Sequence, residues 1–273
     1  MLNWQHIIIT GGSSGIGKAT ATLFVQTGAN LTLIARDLNT LESTRAELEA
    51  LKVKKNQQIL TLSADVSQRQ QIEEAIQTAI ETNGSPDLLM TSAGIAHPGY
   101  FQDLTIDIFE KTMAVNYFGS LYSIRAVVPE MQKQRRGQII LISSGAGLIG
   151  IYGYTPYSPS KFALRGLAEA LRGELKPFGI GVSIVYPPDT DTPQLVAENR
   201  TKPPETKQIT ATAETWSAAD VAQEIVRGIE QQKFAIAPGL EMTLLQRFHS
   251  LLSPTLNWYF DRIVRKIRQK STE

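Results

Sequence analysis

No cysteine occurs anywhere in the 273 residues, which excludes disulfides, thiolate metal sites and a cysteine nucleophile. Histidine is nearly as scarce. His6, His97 and His249 are too dispersed along the chain to form the clustered ligand set of a histidine-based metal centre. Neither sign of charge dominates: 27 Lys and Arg stand against 26 Asp and Glu, so no global field draws the chain to nucleic acid. No apolar run approaches the roughly 18–20 residues that a bilayer span requires. A strand-like segment begins at His6 and leaves no room ahead of it for a secretory signal, so the expectation is a soluble, cytoplasmic protein.

What is present is an alternation. Short apolar runs are expected as strands at His6–Thr10, Asn30–Ala35, Ile59–Ser63, Leu88–Thr91, Gln138–Ile142 and Gly181–Tyr186, with a weaker seventh at Phe234–Ala237. Helical patterns fall between them, at Gly15–Gln26, Thr40–Leu51, Ser67–Asn83, Ile106–Gln134, Ser158–Phe178 and Ala218–Gln231. Apolar strands of four to six residues suit a parallel sheet buried on both faces, and their alternation with helices implies a doubly wound α/β fold. The stretch Pro187–Thr215, rich in Pro, Thr and charge, is expected to be an irregular loop that is a lid, a binding element or disordered.

Directly after the first strand the chain reads Thr10-Gly11-Gly12-Ser13-Ser14-Gly15-Ile16-Gly17 and then opens a helix. Glycines let a backbone approach a pyrophosphate, and free N–H groups at a helix N-terminus hold its charge. Gly11, Ser13, Ser14, Gly15, Ile16 and Gly17 are thus candidate dinucleotide contacts. The second strand ends Ala35-Arg36-Asp37, about 20 residues on, where such folds meet the adenosine ribose. Arg36 suits the 2′-phosphate of NADP(H), whereas Asp37 could serve the opposite preference for NAD. Asp65 and Val66, just beyond the third strand, lie where an adenine ring would sit; Asp65 can equally cap the next helix.

Tyr157 and Lys161 are four residues apart and share one helix face. A free tyrosine titrates at about 10, and an ammonium beside it favours the phenolate. Tyr157 can therefore protonate the oxygen of a ketone as hydride arrives, while Ser144, at the end of the fifth strand, can hydrogen-bond the same oxygen.

The glycine turn, Val115-Asn116-Tyr117, Ser144, Tyr157 and Lys161, taken in order, resemble the short-chain dehydrogenase/reductase family over roughly residues 5–240. The resemblance implies one Rossmann-type domain over 1–240, with sheet order 3-2-1-4-5-6-7 and the cofactor across the carboxyl ends of the strands. It implies that Asn116 holds a water serving Lys161, that Lys161 also grips the nicotinamide ribose, and that Ala93, Gly94 and Pro187 line the cofactor. It further implies a homodimer or homotetramer through Ile106–Gln134 and Ser158–Phe178. Two positions depart from the family pattern: Ser92-Ala93-Gly94 replaces Asn-Ala-Gly, and Pro187-Pro188 replaces Pro-Gly.

Tyr186-Pro-Pro-Asp-Thr-Asp-Thr-Pro193, with Glu198-Asn-Arg-Thr-Lys-Pro203 and Glu205-Thr206, resembles the branch of the family that reduces 3-ketodihydrosphingosine with NADPH in sphingolipid metabolism. The implied substrate is a lipid-like ketone. On residue type, Asp189 and Asp191 could attract its ammonium group or cap turns among the prolines, and Thr190 and Thr192 could meet the cofactor amide. In the expected tail, 241–273, Leu256, Phe260, Ile263 and Ile267 repeat at helical spacing among Arg262, Arg265, Lys266, Arg268 and Lys270. Such a helix can lie peripherally on a membrane, cover a pocket, meet a partner subunit or cap the domain. The rival expectations are a reductase of another hydrophobic ketone (3-oxoacyl or steroid-like) and a non-catalytic NADP(H) sensor.

Overall fold

A computed structural model of the chain describes residues 4–211 and 214–270, without the side chain of Lys270. The apolar runs become parallel strands β1 (His6–Thr10), β2 (Asn30–Ala35), β3 (Ile59–Ser63), β4 (Leu88–Thr91), β5 (Gly137–Ile142) and β6 (Ile180–Val185). Alternate residues along them face opposite layers. Ile8, Leu89, Ile139 and Leu141 join one apolar cluster, and Ile7, Ile9, Leu88, Met90 and Ile140 join the other. A strand buried on both faces has no position to leave polar, which is why these runs show no alternation in sequence.

Helices cover both faces. On the first lie α3 (Arg69–Asn83), α5 (Gly119–Gln134) and α6 (Tyr157–Leu175), through Ile76, Val127, Met131 and Leu164. On the second lie α1 (Gly15–Val25), α2 (Leu38–Glu49) and α9 (Ala218–Glu230), through Phe24, Leu41, Leu48 and Ile225. The seventh strand, β9 (Ala235–Ile236), pairs with β6, and the sheet order is β3-β2-β1-β4-β5-β6-β9. That is the expected order, with its switch point between β1 and β4.

Three expectations need amendment. The helix expected over Ile106–Gln134 is interrupted: α4 (Ile106–Met113) passes through a π-helical stretch, Ala114–Phe118, into α5. Asn116 sits in that stretch, the kind of helix distortion that often marks a functional site. The expected irregular loop is mostly ordered structure. It holds β7 (Thr190–Asp191), α7 (Pro193–Thr201) and α8 (Pro204–Thr210), with β7 pairing to β8 (Trp216–Ser217); residues 212–213 of that stretch lie outside the described residues. Pro193 and Pro204 start helices instead of breaking them, because the first turn has no need of their missing N–H.

The third amendment concerns the tail. It forms α10 (Gly239–Lys270), bent at Phe248, whose backbone leaves the helical region. Ile263 is buried and Leu256, Phe260 and Ile267 are half-buried, so of the alternatives left open for this stripe it takes the one that faces the protein. The exposed apolar side chains are others: Leu240, Leu244, Phe248, Leu251 and Trp258. Residues 271–273 of the tail lie outside the described residues.

Candidate active site

One cleft of about 310 Å³ opens at the carboxyl ends of the strands, lined by the glycine turn, Arg36, Asp65, Val66, Ala93, Gly94, Ser144, Tyr157, Lys161, Pro187, Thr190 and Thr192. Its floor is a backbone construction. Gly11 has φ +71° and donates its N–H to the Ile34 carbonyl at 2.8 Å. A Cβ at Gly11 would lie 2.6 Å from the Ala93 nitrogen, and one at Gly17 only 2.3 Å from the Gly11 carbonyl oxygen. Only glycine fits there, and the first turn of α1 is left open towards the cleft. Ser14, at the N-cap position, makes no side-chain capping bond. The orphan N–H groups of a helix start favour an anion at this point.

The competition between Arg36 and Asp37 is decided by local structure. Asp37 caps α2, accepting from the Thr40 N–H at 2.6 Å and from the Thr40 hydroxyl. Those hydrogen bonds hold its carboxyl below the usual carboxylate range. Arg36 is exposed on the cleft, and the acidic side chains Glu42, Glu47 and Glu49 of α2 pair with Lys18, Arg45 and Lys52 instead. The guanidinium is thus available to a phosphate. Asp65 folds the turn after β3, its Oδ1 accepting from the Ser67 N–H at 2.9 Å and the Ser67 hydroxyl at 2.7 Å. It does not cap α3, whose N-cap is Gln68.

Ser144, Tyr157 and Lys161 come together where β5 ends and α6 begins. The Ser144 Oγ accepts from the Ala146 N–H at 3.2 Å, which fixes the turn after the strand. Gly145 N–H donates to the Pro187 carbonyl at 3.1 Å, so the Pro-Pro variation still anchors this turn. At the Ser92 position the backbone N–H donates to Thr10 O at 3.0 Å and ties β4 to the glycine turn. Lys161 is buried, donates to the Ile142 carbonyl at 2.9 Å, and sits 5.5 Å from the centre of the Tyr157 ring. Burial lowers its ammonium to about 8, against the opposing pull of the Glu198 carboxylate.

The sequence reading assigned Lys161 the power to draw Tyr157 towards phenolate. The structure reverses the balance. Burial, and then the Glu198 charge, push the phenol above its ordinary range, outweighing hydrogen bonds from Ser144 and Gln194. Tyr157 therefore carries its proton, the form that can donate to a ketone oxygen. Asn116 is fully buried; its amide donates to the Ile95 carbonyl at 3.0 Å and to Ser160 Oγ at 2.9 Å, while Oδ1 accepts from the Ile95 N–H. A Cβ built on Gly94 would lie 3.4 Å from that Oδ1 and 3.6 Å from Lys161 Nζ, so the amide and the ammonium converge on this glycine.

The lid departs most from expectation. Asp189 pairs with the buried Lys202 at 3.4 Å and Asp191 is exposed on β7, so neither is a free carboxylate in the pocket. Thr190 donates to the Pro188 carbonyl, and Thr192 caps α7 by accepting from Leu195 N–H at 3.3 Å. The Thr192 methyl lies against Gly15, 3.1 Å from where a Cβ would stand. Among the lining residues with no role assigned from the sequence are Tyr154, Gln194 and Glu198. Glu198 is 6% exposed, accepts from the Tyr154 hydroxyl at 2.7 Å and from the Gln194 amide at 2.8 Å. Its position four residues after Gln194, on a helix opened by Pro193, was the signal available.

A family model described as short chain dehydrogenase matches residues 5–203. A 3-dehydrosphinganine reductase of Danio rerio is 44% identical over 254 residues, spanning 93% of this chain and 76% of that protein. A 3-ketodihydrosphingosine reductase of Bos taurus is 43% identical over 250 residues, 91% of this chain and 75% of that one. Among solved structures, a short-chain dehydrogenase from Sphingobium yanoikuyae in complex with NADPH superimposes with a TM-score of 0.78 at 25% identity, covering 90% of this chain and 92% of that chain.

Proposed function

Since the chain belongs to the short-chain dehydrogenase family, we propose that it is an NADPH-dependent oxidoreductase that converts 3-ketodihydrosphingosine to dihydrosphingosine. The observation that carries this reading is the likeness, over nearly the whole chain, to reductases of that ketone.

The cleft fits the cofactor: a glycine cradle that a Cβ would fill, an open helix start, and an arginine with no carboxylate of α2 upon it. The turn Gly11–Gly17 would hold the pyrophosphate, Arg36 the 2′-phosphate, and Asp65 and Val66 the adenine. Ala93, Gly94, Pro187, Thr190 and Thr192 would line the nicotinamide half, with Lys161 on its ribose. NADPH, when bound, supplies the hydride that reaches the carbonyl carbon. Ser144 and Tyr157 donate hydrogen bonds to the carbonyl oxygen, and Tyr157 gives up its proton as that oxygen gains charge. The Lys161 ammonium, with Asn116 beside it, steadies the phenolate left behind until a proton returns through the polar end of the cleft.

The test is NADPH consumption with 3-ketodihydrosphingosine in mixed micelles, run beside NADH and beside 3-oxoacyl and steroid ketones. Turnover confined to NADPH and the sphingoid ketone supports the reading. Turnover only on other hydrophobic ketones would replace the substrate and keep the catalytic residues.

The same reading includes assembly and location. Phe118 and Phe162 are exposed on the two long helices expected to pair subunits, which supports a homodimer or homotetramer. No helix among the described residues is long and apolar enough to cross a membrane. The outer stripe of α10, Leu240, Leu244, Phe248, Leu251 and Trp258, supports peripheral contact at the cytoplasmic face of a membrane. Sedimentation and liposome flotation test the two points separately.

A further inference from the structure

We propose that Glu198 anchors the protonated amine carried by the carbon next to the ketone, and so selects amino-ketones over plain ketones. The inference rests on the substrate reading above and deepens it. Glu198 is a buried carboxylate in the wall of the catalytic cleft, and among the described residues no Lys or Arg forms an ion pair with it. The cation closest to hand on the lid, Lys202, is paired with Asp189. Two neutral donors, Tyr154 and Gln194, hold the carboxylate in place.

A buried carboxylate hydrogen-bonded only to neutral groups is costly, and the Lys161 ammonium feels its charge without forming an ion pair with it. The Tyr154 ring that it grips lies 5.4 Å from the Tyr157 ring, and its field opposes loss of the Tyr157 proton. It also opposes the negative charge that builds on a ketone oxygen during reduction. For a plain ketone, then, Glu198 opposes loss of the Tyr157 proton, though it also favours the Lys161 ammonium. An ammonium beside the carbonyl reverses this, because it completes the ion pair with Glu198 and screens the catalytic phenol from the carboxylate. The penalty on uncharged substrates and the gain on charged ones come from one residue, which is how a site discriminates between isosteres.

Two comparisons test this. Glu198→Gln keeps the shape and a hydrogen-bond acceptor but removes the charge. Its kcat/KM for 3-ketodihydrosphingosine should fall by about tenfold to a hundredfold, as for loss of one charge-assisted hydrogen bond. Its kcat/KM for the same ketone lacking the amine should hold or rise, with NADPH affinity unchanged. Equal falls on both substrates, or no fall on either, would overturn the assignment and leave Glu198 as a pin between α7 and Tyr154. The unaltered enzyme gives a second answer that does not depend on the variant folding: the N-acetylated ketone, without charge, should lose a similar factor. Equal use of the free and acetylated amines would overturn the inference while the reductase reading stands. No turnover of the sphingoid ketone at all would overturn both.

Discussion

Around the glycine turn the tightest approaches are backbone against backbone: Gly11 on Ala93, Gly17 on Gly11, Gly11 N–H on Ile34. In the lid the contacts are between charges and hydroxyls. Glu198 meets Tyr154, Lys202 meets Asp189, and the buried Glu205 accepts from the Tyr100 hydroxyl at 3.0 Å while Arg268 approaches it from α10 at 3.6 Å. Floor and lid enclose one cleft by different means. On the proposed reading the floor meets what every cofactor molecule of its class shares, a phosphate chain, and main-chain N–H groups can do that without side-chain chemistry. The lid must recognise what is particular to one substrate, and only side chains carry that information.

If the division is sound, variants should sort by side. The largest effect is expected at the junction of the two: Tyr157→Phe should lower kcat by roughly 10²–10⁴ with NADPH affinity, read by fluorescence titration, hardly altered. A large loss of cofactor binding in that variant would blur the line between floor and lid. Arg36→Ala is confined to the floor and should raise the KM for NADPH about ten- to a hundredfold, leave NADH unaffected, and spare the KM of the ketone.

The pH profile sharpens the same boundary. Lys161 titrates at about 8 in its buried position and acts in the protonated form, which is present below that value. Reduction should therefore hold on the acidic side of 8 and decline about tenfold per unit above it, measured as kcat with saturating NADPH. The smallest effect belongs to the lid's outer brace. Arg268→Ala removes an exposed guanidinium from Glu205 and from the Tyr152 hydroxyl, and should raise the KM of the ketone only about two- to fivefold. A matching change in the KM for NADPH would count against separate functions.

The floor was legible in the sequence because its rules are local. Turn glycines follow a strand, apolar runs have strand length, and Tyr157 and Lys161 sit one helical turn apart; each is visible within a few residues. The lid followed rules that a pattern of apolar and polar residues inverts. Pro193 and Pro204 looked like breakers but open α7 and α8, and Glu198, Lys202 and Glu205 are charged yet buried. For Asp189 the sequence leaves amine binding and turn capping both open, because no local signal shows that Lys202, 13 residues on, occupies it. In α10 the period was legible and the partner of its face was not. Leu256, Phe260, Ile263 and Ile267 form a clear stripe, but a second, outer one, Leu240 to Trp258, runs along the same helix. Periodicity alone cannot say which stripe a neighbour covers.

Arg268 reaches the Tyr152 hydroxyl at 3.0 Å across 116 residues of chain. Viewed as an order of synthesis, Gly11 through Lys161 leave the ribosome long before the brace that steadies α8 exists. The stability of the lid thus depends on the last stretch of chain to be made, while the glycine turn and the Tyr157–Lys161 pair belong to chain made much earlier.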